Sequence, residues 1–182
     1  MIESRRWTVY ESPIGPLTLV AGPEGLSDLN FPGRIPPPDL ERGELPEITE
    51  QLDAYFAGEL QVFDVKLDMQ GTELQKAIWR ELTRIPYGET ITYGQQAEQI
   101  DPALFNTDVE PWRRARVIGG ANGKNPVSII VPCHRVIGAG GSLTGYGGGL
   151  ERKKALLELE GALPQEAPPP EDPGGEQMTL IP

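Results

Sequence analysis

The sequence predicts an α/β protein in two folded parts, and three observations carry that expectation. Residues 7–31 hold three short β-rich runs broken by Pro and Gly, so a small antiparallel sheet opens the chain. A helical pattern through Ile48, Leu52, Tyr55 and Phe56 follows it. From Thr72 onward short helical segments replace the strands, and their succession suggests a helix-turn-helix arrangement in a mainly α second part.

"WTVYESPIGPLTLVAG" places two strands around a Pro/Gly turn, and "GLSDLNF" reads as a third. Pro36 to Pro38 break the pattern before "PEITEQLDAYFAGEL", the first helix, and "VFDVKLDM" reads as a further strand. This portion, residues 1–69, reads as scaffold without a catalytic cluster. The second part, residues 70–162, begins with "TELQKAIWRELTRI", where Leu74, Ile78, Leu82 and Ile85 form one stripe and Thr72 and Glu73 suit a helix start. Pro86, Tyr87 and Gly88 end that helix, and Thr92 can cap the next, "TITYGQQAEQI". An Arg-bearing segment follows near Trp112. Packing alone would give the same pattern, so a nucleic-acid-reading helix remains one of two readings here.

From Gly119 onward glycine dominates, in "GGANGKN" and "GAGGSLTGYGGGL", which suits close backbone approach to a flat ligand with Tyr146 lining the pocket, or else a loose loop. "LERKKALLELEG" closes the part as an amphipathic helix bearing Lys153 and Glu160. Residues 163–182, "LPQEAPPPEDPGGEQMTLIP", are too rich in Pro and acid to bury a core and are expected to be a disordered tail.

Composition narrows the function. A single cysteine excludes an internal disulfide, and with a single histidine it excludes a structural zinc site of the usual Cys/His type. "MIESRRWTVY" lacks the apolar stretch of a signal peptide and no segment is long and apolar enough to span a membrane, so a soluble, cytoplasmic protein is expected. The net charge of −11 argues against a polyanion partner until its distribution is read. Residues 112–154 carry +7 and the rest −18, a basic island that fits a nucleic-acid footprint as well as a solvated face.

That island contains Cys133 and His134, the only residues of their kinds, adjacent in "VPCHRV". Imidazole is the side chain most often used to remove a thiol proton at neutral pH, so the pair suggests a nucleophile with its base. The alternative is a small buried Cys beside a surface His, since neighbours on a strand point to opposite faces.

"GTELQKAIWRELTRIPYGETITYGQQA", "NPVSIIVPCHRVIG" and "GYGGGLERKKALLELEG" together resemble the O6-alkylguanine-DNA alkyltransferases, the methylated-DNA–protein-cysteine methyltransferase family. The resemblance covers roughly residues 70 to 161. It implies an N-terminal ribonuclease H-like α/β domain and a C-terminal helix-turn-helix, winged-helix-like domain. It also implies DNA repair by direct transfer of an alkyl group from O6-alkylguanine in double-stranded DNA, with no cofactor, by a monomer. Cys133 would attack as an ionised sulfur and keep the alkyl group, so each molecule acts once.

The same resemblance assigns further roles. His134 would reach Cys133 through a water and be oriented by Glu160, while Asn125 holds the neighbouring backbone. Tyr93 would donate to the departing guanine ring, and Lys153 matches the family's active-site lysine. Arg116 would replace the extruded nucleotide from a helix laid in the minor groove, where small Ala115, Gly119 and Gly120 permit close approach, and Arg135 would add a DNA contact. Gly147 would offer its N–H to O6, the carbonyls of Cys133 and Val136 would accept from the exocyclic amine, and Tyr146 and Gly148 would complete the base pocket.

Two departures from the family stand out. The 22 residues between Tyr93 and Arg116 include "DPALFNTDVEPW", longer than a short turn and bringing Asp101, Asp108 and Glu110 close to the expected DNA face. Ser128 stands where many relatives have proline. The tail ends in "QMTLI", Gln177 to Ile181, similar to the peptides that bacterial replication proteins insert into the sliding clamp. Two rivals to alkyl transfer are a lesion sensor, which would need no nucleophile, and a cysteine hydrolase, which would regenerate its thiol.

Overall fold

The computed structural model of the chain describes residues 2–31, 36, 40–105 and 109–163. Strand β1 (Arg6–Ser12) turns through Gly15, whose φ of 106° disfavours any L side chain, into β2 (Gly15–Gly22), and β3 (Gly25–Asn30) completes the antiparallel part. A two-residue strand, β4 (Glu41–Arg42), pairs parallel to β1, so the order is β3-β2-β1-β4. Leu17, Leu19 and Ala21 alternate inward along β2 and share one core with Ile48, Leu52 and Tyr55 of helix α1 (Pro46–Phe56).

The expected strand at "VFDVKLDM" does not form. Pairing is confined to one parallel bridge between Leu67 and Leu26, with Leu26 N–H on the Lys66 carbonyl (2.8 Å) and Asp68 N–H on the Leu26 carbonyl (2.9 Å). Phe63, Val65 and Leu67 still pack half-buried against the core, which explains the apolar alternation without a ladder.

The second part follows the sequence closely. Helix α2 (Glu73–Leu82) starts in a reciprocal cap between Thr72 and Gln75, and α3 (Tyr93–Glu98) in the same device between Thr92 and Gln95. Helices α4 (Arg114–Asn122) and α5 (Leu150–Leu159) complete the set, while β5 (Ile91–Thr92) pairs parallel with β6 (Val136–Ile137). Buried polar contacts lock α2, α3 and α4 together. Trp79 Nε1 donates to the Ala121 carbonyl (2.9 Å), Gln96 Nε2 to the Ile78 carbonyl (3.2 Å) and Asn122 Nδ2 to Gln96 Oε1 (2.8 Å).

The long connection between α3 and α4 contains two 3-10 turns, Pro102–Leu104 and Pro111–Arg113. Asp101 caps the first through Ala103 N–H (2.9 Å), Phe105 is buried, and the Arg114 guanidinium lies 5.0 Å from its ring. Asp108 and the Gln177–Ile181 peptide lie outside the described residues.

The two halves are stitched at three places. Leu29 of β3 takes Ser128 N–H (2.9 Å) and gives its own N–H to the Pro126 carbonyl (2.8 Å). Arg152 Nε donates to the Ile14 carbonyl (2.7 Å) with its guanidinium over Phe31, and the Tyr55 hydroxyl donates to Glu160. Among the described residues no helix is long and apolar enough to cross a membrane.

Candidate active site

The segment before Cys133 is a run of tight turns. Asn125 Oδ1 accepts from Val127 N–H (3.0 Å), and Ile130 N–H then reaches back to the Ser128 carbonyl (2.9 Å) around Ile129. Ile129 sits at φ 72°, a γ-turn of the rarer hand and an unusual place for a β-branched residue. Pro132, at φ −82° and ψ 65°, centres a second γ-turn of the common hand, closed by Cys133 N–H on the Val131 carbonyl (2.8 Å). Backbone geometry, held from outside by β3, thus fixes where the sulfur points.

The thiol is buried, with Cys133 only 6% exposed. Asn125 Nδ2 donates to the Val131 carbonyl (2.7 Å) and also to Cys133 Sγ (3.3 Å), a second task beyond the backbone role expected for it. Burial pushes the thiol up, and the Asn125 hydrogen bond and the charge of Lys153 offset that only in part. Burial thus favours the protonated thiol at rest, so the ionised sulfur expected to attack has to form as part of the reaction.

His134 and Glu160 are brought together as expected. His134 Nε2 lies 2.8 Å from Glu160 Oε1. Burial opposes the Glu160 charge, but hydrogen bonds from His134 and Arg135 outweigh it and hold the carboxyl at about 2. An ionised carboxylate can only accept, which assigns the Nε2 proton to this bond and leaves Nδ1 as the basic nitrogen. Among the described residues Nδ1 is buried without a hydrogen-bond partner, and burial lowers the imidazole's proton affinity, so the ring is neutral and able to receive a proton.

Arg135 is not presented to DNA, contrary to the sequence reading. It is buried, with Nε on Glu160 Oε2 (2.8 Å), Nη2 on Glu160 Oε1 (3.0 Å) and Nη1 on the Ile85 carbonyl (2.6 Å). A charged fork of five donors goes where a buried carboxylate can engage it bidentately. Sequence reasoning also missed Tyr55, whose hydroxyl donates to Glu160 Oε1 at 2.7 Å across 105 positions of sequence. No local pattern signals it, because the partner becomes a neighbour only through the fold.

Lys153 is fully buried on α5, its ammonium on the carbonyls of Val136 (2.6 Å) and Thr144 (2.8 Å) and 5.7 Å from the Tyr93 ring. Burial brings it down to about 8, against the pull of Cys133. The Tyr93 hydroxyl meets the carbonyls of Thr144 and Gly145, both at 3.1 Å. A cavity of about 920 Å³ opens here, and its wall includes Tyr93, Ala115, Arg116, Gly119, Tyr146 and Gly147.

Cys133 and Val136 are not on that wall and lie behind it. Gly120 is exposed away from it, and Gly148 packs where a Cβ would collide with the rings of Phe31 and Tyr146. Gly148 therefore seats those rings instead of facing the cavity. Tyr146 meets Phe31 edge-on at 5.8 Å, and burial pushes its hydroxyl's ionisation well up.

Comparison with known proteins agrees with this architecture. Residues 5–69 match the family described as 6-O-methylguanine DNA methyltransferase, ribonuclease-like domain, and residues 73–162 its DNA binding domain. The chain is 49% identical over 162 residues to the methylated-DNA–protein-cysteine methyltransferase of Methanosarcina acetivorans, covering 86% of this chain and 98% of that one. It is 50% identical over 159 residues to the protein of that name from Mycobacterium bovis, covering 85% and 91%. Among solved structures, Mycobacterium tuberculosis O6-methylguanine methyltransferase is similar with a TM-score of 0.73 at 45% identity, over 90% of this chain and 96% of that one. Mycobacterium tuberculosis OGT in complex with DNA gives 0.75 at 48% identity, over 86% and 93%. The chain belongs to the 6-O-methylguanine DNA methyltransferase family.

Proposed function

We propose that this chain repairs O6-alkylguanine in double-stranded DNA by moving the alkyl group onto Cys133, once per molecule and without a cofactor. The observation that carries the reading is a buried thiol hydrogen-bonded to Asn125, next to the His134–Glu160 pair and behind a cavity bounded by Tyr93, Arg116 and Gly147. The relatives' names and the DNA complex of one of them support it.

O6 cannot be reached within the base stack, so the guanine must first turn out of the duplex into the cavity, with Arg116 taking its place. The thiol proton passes, through a water, to Nδ1 of His134, whose imidazolium Glu160 stabilises. The Sγ–C bond forms as the C–O6 bond breaks, and the electron pair of that bond leaves with guanine. The Tyr93 hydroxyl supplies a proton to the departing ring, with the Lys153 ammonium close by to limit charge on the phenol. The proton lost by Cys133 balances the one guanine gains. A thioether is a poor leaving group, so the sulfur is not regenerated.

The chain would act as a cytoplasmic monomer, with residues 1–69 supporting a reactive unit at 70–162. The Gln177–Ile181 peptide would dock on a sliding clamp, which deletion of residues 176–182 and titration with purified clamp tests. For the central reading, full-length protein is incubated with a duplex holding one O6-methylguanine. One methyl group on the peptide containing Cys133, and one guanine restored per protein, is the expected result. Repeated turnover, an unmodified thiol after repair, or repair by Cys133→Ser overturns it.

A further inference from the structure

Among the described residues Trp112 is the one aromatic side chain left open to solvent, at 74% exposure; every other Phe, Tyr and Trp is buried or half-buried. A bare indole exposes a large apolar surface to water, and it sits in the most basic stretch of an acidic protein, beside Arg113, Arg114 and Arg116. The Arg113 guanidinium lies over its ring, 4.8 Å from the centroid, so indole and cation form one positively charged aromatic platform with a cation on one face.

Its position relative to the cavity is set by helical geometry. The 3-10 turn Pro111–Arg113 runs directly into α4 through Arg113, whose φ of −87° and ψ of −14° keep the helical sense. Ala115, Arg116, Gly119 and Gly123 all line the cavity wall. Trp112 stands three and four positions before the first two of these, so it continues the same face by one further turn, beyond Arg116. The long connection is anchored behind it by buried Phe105 under Arg114, which holds the turn on the body of the protein while leaving the indole free.

We propose that Trp112 is a second DNA-contacting residue, which packs on the strand flanking the extruded nucleotide one helical turn beyond Arg116. The inference rests on the DNA-repair reading above. The occupant is a DNA strand because the platform is cationic, is continuous with the cavity that would receive the base, and presents an aromatic face of the kind on which sugars and bases stack regardless of sequence. The 3-10 turn Pro111–Arg113 then extends the DNA footprint.

The test compares full-length wild type, Trp112→Ala and Trp112→Phe on two substrates: a duplex with one O6-methylguanine, and a free O6-alkylguanine base that needs no strand contact. Trp112→Ala is expected to slow alkylation of Cys133 by the duplex about tenfold or more, with Trp112→Phe in between, while all three react with the free base within about twofold. Duplex should also shield the indole from a neutral fluorescence quencher in wild type and lose that effect in Trp112→Ala. Equal duplex rates for wild type and Trp112→Ala, with Cys133 alkylated in both, overturn this inference alone. So does Trp112-dependent self-association with unchanged duplex affinity. Failure of wild type to alkylate Cys133 with either substrate overturns the repair reading and this one with it.

Discussion

Removing the Tyr55 hydroxyl tests whether the N-terminal half takes part in the chemistry. Glu160 accepts from Tyr55 and His134 and twice from Arg135, with three of these donors converging on Oε1. Tyr55 is fully buried, and burial together with the Glu160 charge raises its ionisation far above the usual range, so it remains a donor at any working pH. Tyr55→Phe keeps the ring in place and removes one hydrogen bond to a charged group, worth about 1.5–3 kcal/mol. A loss of about 2 kcal/mol corresponds to about 4–8 °C in Tm for a chain of this size. Alkyl transfer should slow about tenfold, because His134 loses part of the frame that orients it. Urea unfolding at pH 7 of wild type, Tyr55→Phe, Glu160→Gln and the double variant yields the coupling energy directly. Additive effects, or a single variant within about 0.5 kcal/mol of wild type that transfers at the normal rate, would refute the link.

Three further perturbations separate the remaining roles. Asn125→Ala removes the donor to Sγ and should lower the transfer rate about tenfold while moving the rise of its pH profile to higher pH, since the thiolate loses support; an unmoved profile assigns Asn125 to the backbone alone. Lys153 is depressed to about 8 when folded, so between pH 8 and its unfolded value near 10.5 the unfolded chain binds more protons and stability contributed by this group rises with pH. Lys153→Met should remove that slope in unfolding measured from pH 8 to 9.5, and a retained slope would count against the burial of the charge. Arg135→Lys should destabilise the protein by about 1.5 kcal/mol or more with DNA affinity per folded molecule unchanged, whereas Arg116→Ala should weaken duplex binding at unaltered stability; the reverse pattern would restore Arg135 to the DNA face.

What could be read from the sequence was local. Thr72 and Thr92 announced their helices because a capping hydroxyl and the Gln three residues on act within one turn. The pairing of Cys133 and His134 with Asn125 and Glu160 came through motif resemblance, and the fold puts Asn125 on the sulfur and Glu160 on the imidazole. Features decided by distant partners were not legible: Tyr55 on Glu160, Arg135 turned inward, and "VFDVKLDM" pairing with β3 through a single parallel bridge instead of a ladder. The upward push of burial on the thiol was equally hidden, because it depends on how much water the fold removes from around the sulfur.

The γ-turn at Ile129 has an implication for how this scaffold tolerates change. A branched side chain held at φ 72° is a compressed spring, restrained by the Leu29 backbone on one side and by Asn125 on the other. Glycine at this position would relax the backbone and loosen the aim of the neighbouring thiol in the same step. Ile129 is also a core side chain at 1% exposure, so the cavity left by that change outweighs the relaxed backbone, and neither durability nor speed is gained by easing the residue.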